Sequence, residues 1–275
     1  IRLSLVGSEM CIRDSHMGAV MNKIRGAAGR AIRGDGTTEA EWNGWPGLAR
    51  LPAIAAGELV PEGARAVVVA PHPDDEVLAV GGLLAQLAEQ GREVVVIAVT
   101  DGTASHRGSA VWSPERLARS RPRESLRALE RLGLAIEPIR LELPDGGLQA
   151  VRATLAARLV SLLRPRDMVF TTWRRDGHPD HEATGQACAL AAASAGARLV
   201  EVPVWGWHWA RPADARMPWR HARRLLLDPE ALRRKREAVR AFTSQLRPDP
   251  STGAPPVLRA TTLARAQRPY EVVFL

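Results

Sequence analysis

The chain has 275 residues, with 38 Lys and Arg against 30 Asp and Glu, a formal charge of +8. At 45% hydrophobic and 25% charged it has the composition of a globular protein with a substantial core, which excludes disorder, collagen or a coiled coil as the main architecture. The positive balance points to an anionic partner, yet aromatics are only 4%, eight Trp with one Tyr and three Phe, a thin supply of stacking platforms for single-stranded nucleic acid, so no nucleic-acid partner is expected.

The first residues, IRLSLVGSEMCIRDSHM, lack the apolar stretch and small-residue cleavage site of a signal peptide. SHM resembles a tag-cleavage scar and the stretch before it resembles translated adapter, so residues 1–17 are expected to be an artificial or read-through leader. Residues 18–63 show no sustained period and are expected to form an N-terminal arm, a short helix followed by irregular chain that packs through Trp42 and Trp45. The two cysteines, Cys11 and Cys188, exclude a disulfide framework and suit a reducing, cytoplasmic compartment. No stretch approaches the roughly 20 apolar residues of a membrane helix.

From residue 64 onward one domain is expected, through 275. ARAVVVA (64–70) predicts a buried strand, PHPDDE a turn, and VLAVGGLLAQLAEQG a helix closed by Gly91. EVVVIAVT (93–100) predicts a second strand, and a helix is expected from Pro122 to Gly133. Then come strands at 137–143 and 167–173, with a helix at 148–163 between them, a helix from Pro179, and a fifth strand at 198–207. Apolar strands alternating with helices predict a doubly wound, Rossmann-like, mostly parallel α/β sheet with helices on both faces. HARRLLLD (221–228), a basic helix at 229–246 and the final YEVVFL read as a C-terminal α/β extension.

Two clusters of acids and histidines lie at predicted carboxyl ends of strands. Pro71-His72-Pro73-Asp74-Asp75-Glu76 follows the first strand, and Gly177-His178-Pro179-Asp180-His181 the fourth. In doubly wound sheets the ligand crevice lies outside those ends, so the two segments are expected to converge. His72, Asp75 and His181 make a three-ligand N/O set with an open position, the pattern of catalytic zinc; iron(II) can occupy the same ligands. A bound ion acidifies water, and Asp74 is the candidate base. His178 is placed to stabilise an oxyanion or protonate a leaving amine, with Asp180 orienting it. Acids in a first helical turn also complement the helix dipole, which accounts for Asp74, Asp75, Glu76 and Asp180 without chemistry but leaves the three histidines unexplained.

These residues resemble the LmbE-like/PIG-L-like de-N-acetylases, zinc hydrolases that remove acyl groups from N-acetylglucosaminyl compounds and related amides. The resemblance runs from about residue 65 to the C-terminus and rests on His-Pro-Asp-Asp-Glu and Gly-His-Pro-Asp-His. It implies the same ligands, base and oxyanion residue, a small amino-sugar or glycoconjugate substrate, and a substrate contact by Arg121 in RPRESLRALERLG. The approach to the second motif, TTWRRDG, is short and has Asp176 where some relatives place a Tyr, so substrate identity does not carry over. A non-sugar amide or thiol conjugate is the alternative substrate, and a basic nucleic-acid-binding module the remote one.

Three further features are ambiguous in sequence. Asp101 and Asp145 sit in loops at the same sheet edge, as turn formers or pocket walls. Trp205, Trp207 and Trp209, at period two, are expected on one face of a strand, in the core or as a sugar platform. Residues 211–247 hold eleven Arg and Lys against four acids, either a solvated face or a surface that attracts anionic substrates.

Overall fold

A computed structural model of the protein describes residues 30–275. The expected leader over 1–17 and the first part of the 18–63 arm lie outside these residues. The strands are β1 (Ala53–Ile54), β2 (Ala66–Ala70), β3 (Val94–Ala98), β4 (Ile139–Arg140), β5 (Met168–Thr172), β6 (Arg198–Val202), β7 (Ala222–Leu226) and β8 (Tyr270–Phe274). They form one sheet in the order β1-β7-β8-β6-β5-β2-β3-β4. β8 runs antiparallel to both of its neighbours, and every other pairing is parallel.

The continuous apolar runs have the burial that the sequence predicts, because both faces of the sheet are covered. Side chains alternate across the sheet, so Val67, Val69, Ile97 and Val169 pack with Leu155, Leu159, Ala187 and Ala191 of helices Arg152–Leu162 and Pro179–Ala195. Ala66, Val68, Val96 and Phe170 face the other way, toward Leu83, Leu87, Leu129 and Val239 of helices Asp75–Glu89, Pro114–Arg131 and Pro229–Val239. The chain leaves β2 toward β3 and β4, then returns to place β5 on the opposite side of β2. That reversal puts the loops after β2 and β5 side by side at one edge.

Four elements differ from the sequence expectation. The helix expected at Pro122 begins at Pro114, capped by the Ser113 side chain, and carries Pro122 in its interior. The fifth strand stops at Val202, and Gly206–Trp209 is a helical turn. The N–H groups of Val204, Trp205 and Gly206 all donate to the buried Asp176 carboxylate, so they are withheld from any strand ladder. The period-two reading of the tryptophans therefore fails. Trp207 and Trp209 are buried with Trp42, Trp173 and Phe274 in a separate cluster, while Trp205 turns toward a cavity. Finally, the arm contributes β1, which the sequence did not signal, and the C-terminal extension is internal, with β8 between β6 and β7.

The basic stretch is largely spoken for by neighbours. Arg233 and Arg234 pair with Glu230, and Arg233 also pairs with Glu237. Lys235 is buried. No helix among the described residues is long and apolar enough to cross a membrane.

At the edge opposite the clusters, Arg65 makes a two-pronged contact with Asp167, 3.0 and 2.7 Å, tying the start of β2 to that of β5. Removing one partner leaves the other charge buried, which costs about 3–5 kcal/mol. Asp167→Ala is therefore expected to lower the unfolding free energy by that amount, read from the shift of the midpoint multiplied by the slope of a denaturant titration.

Candidate metal centre and active-site cavity

The strand-to-helix turn after β2 carries the first cluster. Pro71 to Asp74 leave the sheet and Asp75 opens the helix, which aims its carboxylate back along the turn. Asp75 Oδ2 lies 3.2 Å from His72 Nδ1 and 3.2 Å from His181 Nε2, and it accepts the His72 backbone N–H at 3.0 Å. His181 stands at the third position of the helix after β5, and His178 caps that helix. Candidate ligand atoms of His72, Asp75 and His181 lie within 4.8 Å of one another, as do those of His72, His178 and Asp180.

Two observations bear on whether a metal fits. His181 is fully buried and its Nε2 makes no hydrogen bond, while its Nδ1 is held 2.8 Å from Asp176 Oδ2. With Nδ1–H donated to that carboxylate, the neutral ring presents its Nε2 lone pair toward Asp75 and His72, the usual disposition of a ligating histidine, whereas without a cation the same nitrogen takes a proton beside Asp75. In addition, the carboxylates of Asp74, Asp75 and Asp145 line one cavity and Asp180 reaches His72 beside it, against two lining arginines, Arg107 and Arg121, of which Arg121 pairs with Asp74. This donor set, imidazole and carboxylate with an excess of negative charge, fits a divalent cation.

Asp74 sits beside this set in a strained backbone conformation, φ 136° and ψ −28°. Such a conformation costs about 1–3 kcal/mol for a non-glycine residue and persists only where its surroundings enforce it. Here the Asp74 N–H donates to Glu76 at 3.0 Å, Glu76 accepts from the Ser125 hydroxyl, and Arg121 Nη2 donates to Asp74 Oδ2 at 2.9 Å. Burial pushes the Asp74 carboxyl up to about 7, against the opposing pull of Arg121. Burial would also raise Asp75, but the His181 and His72 charges hold it well below the usual carboxylate range.

His178 is the counterpart on the other wall. Burial, then the neighbouring His181 and His72, push it down to about 3, so the ring is neutral. Its Nδ1 accepts the Asp180 N–H at 3.3 Å, which leaves the ring proton on Nε2. The Asp180 carboxylate does not orient His178 as the sequence reading supposed. It accepts N–H groups from Gly146 and Leu148 and approaches His72 Nε2 at 3.4 Å. The loop after β4 supplies those amides, so the carboxylate is drawn to it.

Arg121 is 3% exposed, and its guanidinium is engaged by Asp74 and the carbonyls of Gly102 and Pro73. Its polar contacts are to Asp74 and these carbonyls, and it also lines the cavity. Asp145 lines the cavity and stands 3.2 Å from His72, whereas Asp101 pairs with Arg140. Sequence reasoning missed Asp176 as the partner of His181; a carboxylate five residues before a candidate ligand histidine was the available signal. The cavity measures about 360 Å³, with His72, Asp74, Asp75 and His178 on one side and Leu78, Val204, Trp205 and Leu258 among its apolar residues.

Residues 67–192 match the family described as PIG-L, GlcNAc-PI de-N-acetylase. The chain is 30% identical over 225 residues to the 1D-myo-inositol 2-acetamido-2-deoxy-alpha-D-glucopyranoside deacetylase of Kineococcus radiotolerans, covering 68% of this chain and 58% of that protein. It is 30% identical over 127 residues to the diacetylchitobiose deacetylase of Thermococcus kodakarensis, covering 44% and 46% respectively. The chain thus spans about half the length of these curated relatives. Among solved structures, a deacetylase of the teicoplanin biosynthesis pathway shares the fold with a TM-score of 0.56 and 21% identity, over 77% of this chain and 97% of that one.

The protonation pattern gives a sign for stability without a bound cation. Burial alone would lower His181, but Asp75 and Asp176 outweigh it and lift the ring from 6.5 to about 9. The stabilisation is complete below pH 6.5 and is lost as pH rises through about 9; Asp74, raised from 3.8 to about 7, loses in the same direction. The denaturant midpoint of chelator-treated protein is expected to fall between pH 6.5 and pH 9. A midpoint that rises over this interval would contradict the assignment.

Proposed function

With a PIG-L family domain over residues 67–192, we propose that this protein is a zinc-dependent amide hydrolase that removes an acetyl group from an N-acetylglucosaminyl-type amino sugar or its conjugate. The observation that carries the reading is the convergence, at one cavity, of a two-histidine, one-carboxylate donor set with a separate, buried and strained carboxylate, Asp74. The names of both curated relatives specify deacetylases of acetylated sugars, which supports the substrate class.

In this reading His72, Asp75 and His181 hold the ion, which when bound polarises the amide carbonyl and acidifies a water molecule. Asp74, a buried carboxylate beside the ligand set, accepts the proton of the attacking water. Arg121 keeps Asp74 oriented. His178, neutral with its proton on Nε2, donates a hydrogen bond to the oxygen that gains charge as water adds to the carbonyl carbon. The carbon–nitrogen bond then breaks, the nitrogen takes the proton held by Asp74, and amine and acetate are the products. Asp176 fixes the ring of His181, and Asp145 and Asp180 flank His72.

Amine release from a panel of N-acetyl sugars, sugar conjugates and non-sugar amides tests the reading. Turnover of the sugar compounds is expected, and turnover confined to non-sugar amides would move the substrate class. Asp74→Asn is expected to retain zinc, by elemental analysis, and to lose about 10²–10⁴-fold in kcat. His181→Ala is expected to lose both zinc and turnover. Full activity in Asp74→Asn would overturn the mechanism.

A further inference from the structure

The helix that carries Asp75 is not continuous. Val80 leaves the helical region, at φ −136° and ψ 24°, and divides Asp75–Glu89 into a first turn and a longer remainder. In an unbroken helix the Gly82 N–H bonds to the Leu78 carbonyl, and a break at Val80 separates these two groups. Two charged side chains from the C-terminal region take up the separated ends. Glu271 of β8 accepts the N–H of Gly82 at 2.6 Å and of Leu83 at 3.0 Å. Lys235 donates to the Leu78 carbonyl at 3.2 Å and to Glu271 at 2.6 Å. Both residues are at least 96% buried.

Two features show that the break is built in. Glycine at 82 lets the helix pack closely just past the break, where a Cβ would lie 2.4 Å from Leu227 of the C-terminal region. A buried ion pair is also a poor source of stability, since apolar residues of similar volume usually do as well. The pair matches, group for group, the donors and acceptor that the break exposes.

We propose that Lys235 and Glu271 are positioning residues for the metal centre. They hold the short first turn at its own angle to the rest of the helix, so that Asp75 Oδ2 stays within 3.2 Å of both His72 and His181. Leu78, whose carbonyl Lys235 grips, is three residues from Asp75 and lines the cavity. This rests on the reading of Asp75 as a metal ligand.

The test is the double variant Lys235→Met with Glu271→Gln, which removes both charges at nearly constant volume and avoids stranding one of them. The expected result is a folded protein whose zinc affinity, measured by competition with a chromophoric chelator, is weaker by about tenfold or more, with kcat reduced and KM unchanged. Wild-type zinc affinity and kcat in the folded double variant would overturn the proposal. Wild-type protein that binds no zinc would instead bring down the functional reading, and this one with it. A second measurement needs no variant: in metal-free wild-type protein the amides of Gly82 and Leu83 are expected to exchange hydrogen as slowly as those of Leu84 and Leu87. Exchange at the rate of a frayed helix end would overturn the role of Glu271.

Discussion

The carboxylate of Asp176 accepts four hydrogen bonds in a site closed to solvent, from His181 Nδ1 and from the N–H groups of Val204, Trp205 and Gly206. A buried carboxylate is tolerable only when its lone pairs are satisfied, so this one interaction fixes several others. It sets the ring orientation of His181. It ends β6 and turns the chain so that Trp205 faces the cavity beside His178, while Trp209 is drawn in by its indole N–H to the Asp176 carbonyl. The tryptophan cluster and the candidate metal centre are thus two sides of one buried group.

Around that anchor the site is organised by charge. Asp75, Asp145 and Asp180 surround His72, and Asp74 stands beside Arg121. Burial penalises every one of these charges, and the acids outnumber the protein cations near them. A divalent ion answers that imbalance directly, and protons do so in its absence. The same logic separates the proposed base from the proposed hydrogen-bond donor. Asp74 is raised toward neutrality by burial, and His178 is pushed down by burial and the two neighbouring rings.

The C-terminal region packs against the helix that carries Asp75. β8 enters the sheet between β6 and β7, and its Glu271 meets Lys235 of the basic helix inside the broken helix that starts with Asp75. Of the eleven cations in the basic stretch, Lys235 is thus turned inward, and Arg233 and Arg234 are matched by acids on their own helix.

Much of this was readable from the chain alone. The runs ARAVVVA, EVVVIAVT and DMVFTTW are largely apolar because both faces of a parallel sheet are covered, and the helices between them follow from apolar residues at helical spacing. The two acid-histidine segments could be assigned to one edge because carboxyl ends of parallel strands point the same way. What the sequence did not carry were partnerships between residues far apart in it. Whether 204–209 is strand or turn depends on a carboxylate 28 to 30 residues earlier, which competes for the same N–H groups. The Asp180 carboxylate turns to the loop after β4 because backbone amides are offered there, and the buried Arg121 pairs with Asp74, 47 residues earlier in the chain. Local pattern and composition determine which segments become strands and which residue types lie at their ends. Only the folded chain decides which buried polar group satisfies which, since that choice is made by desolvation among groups brought together from distant positions.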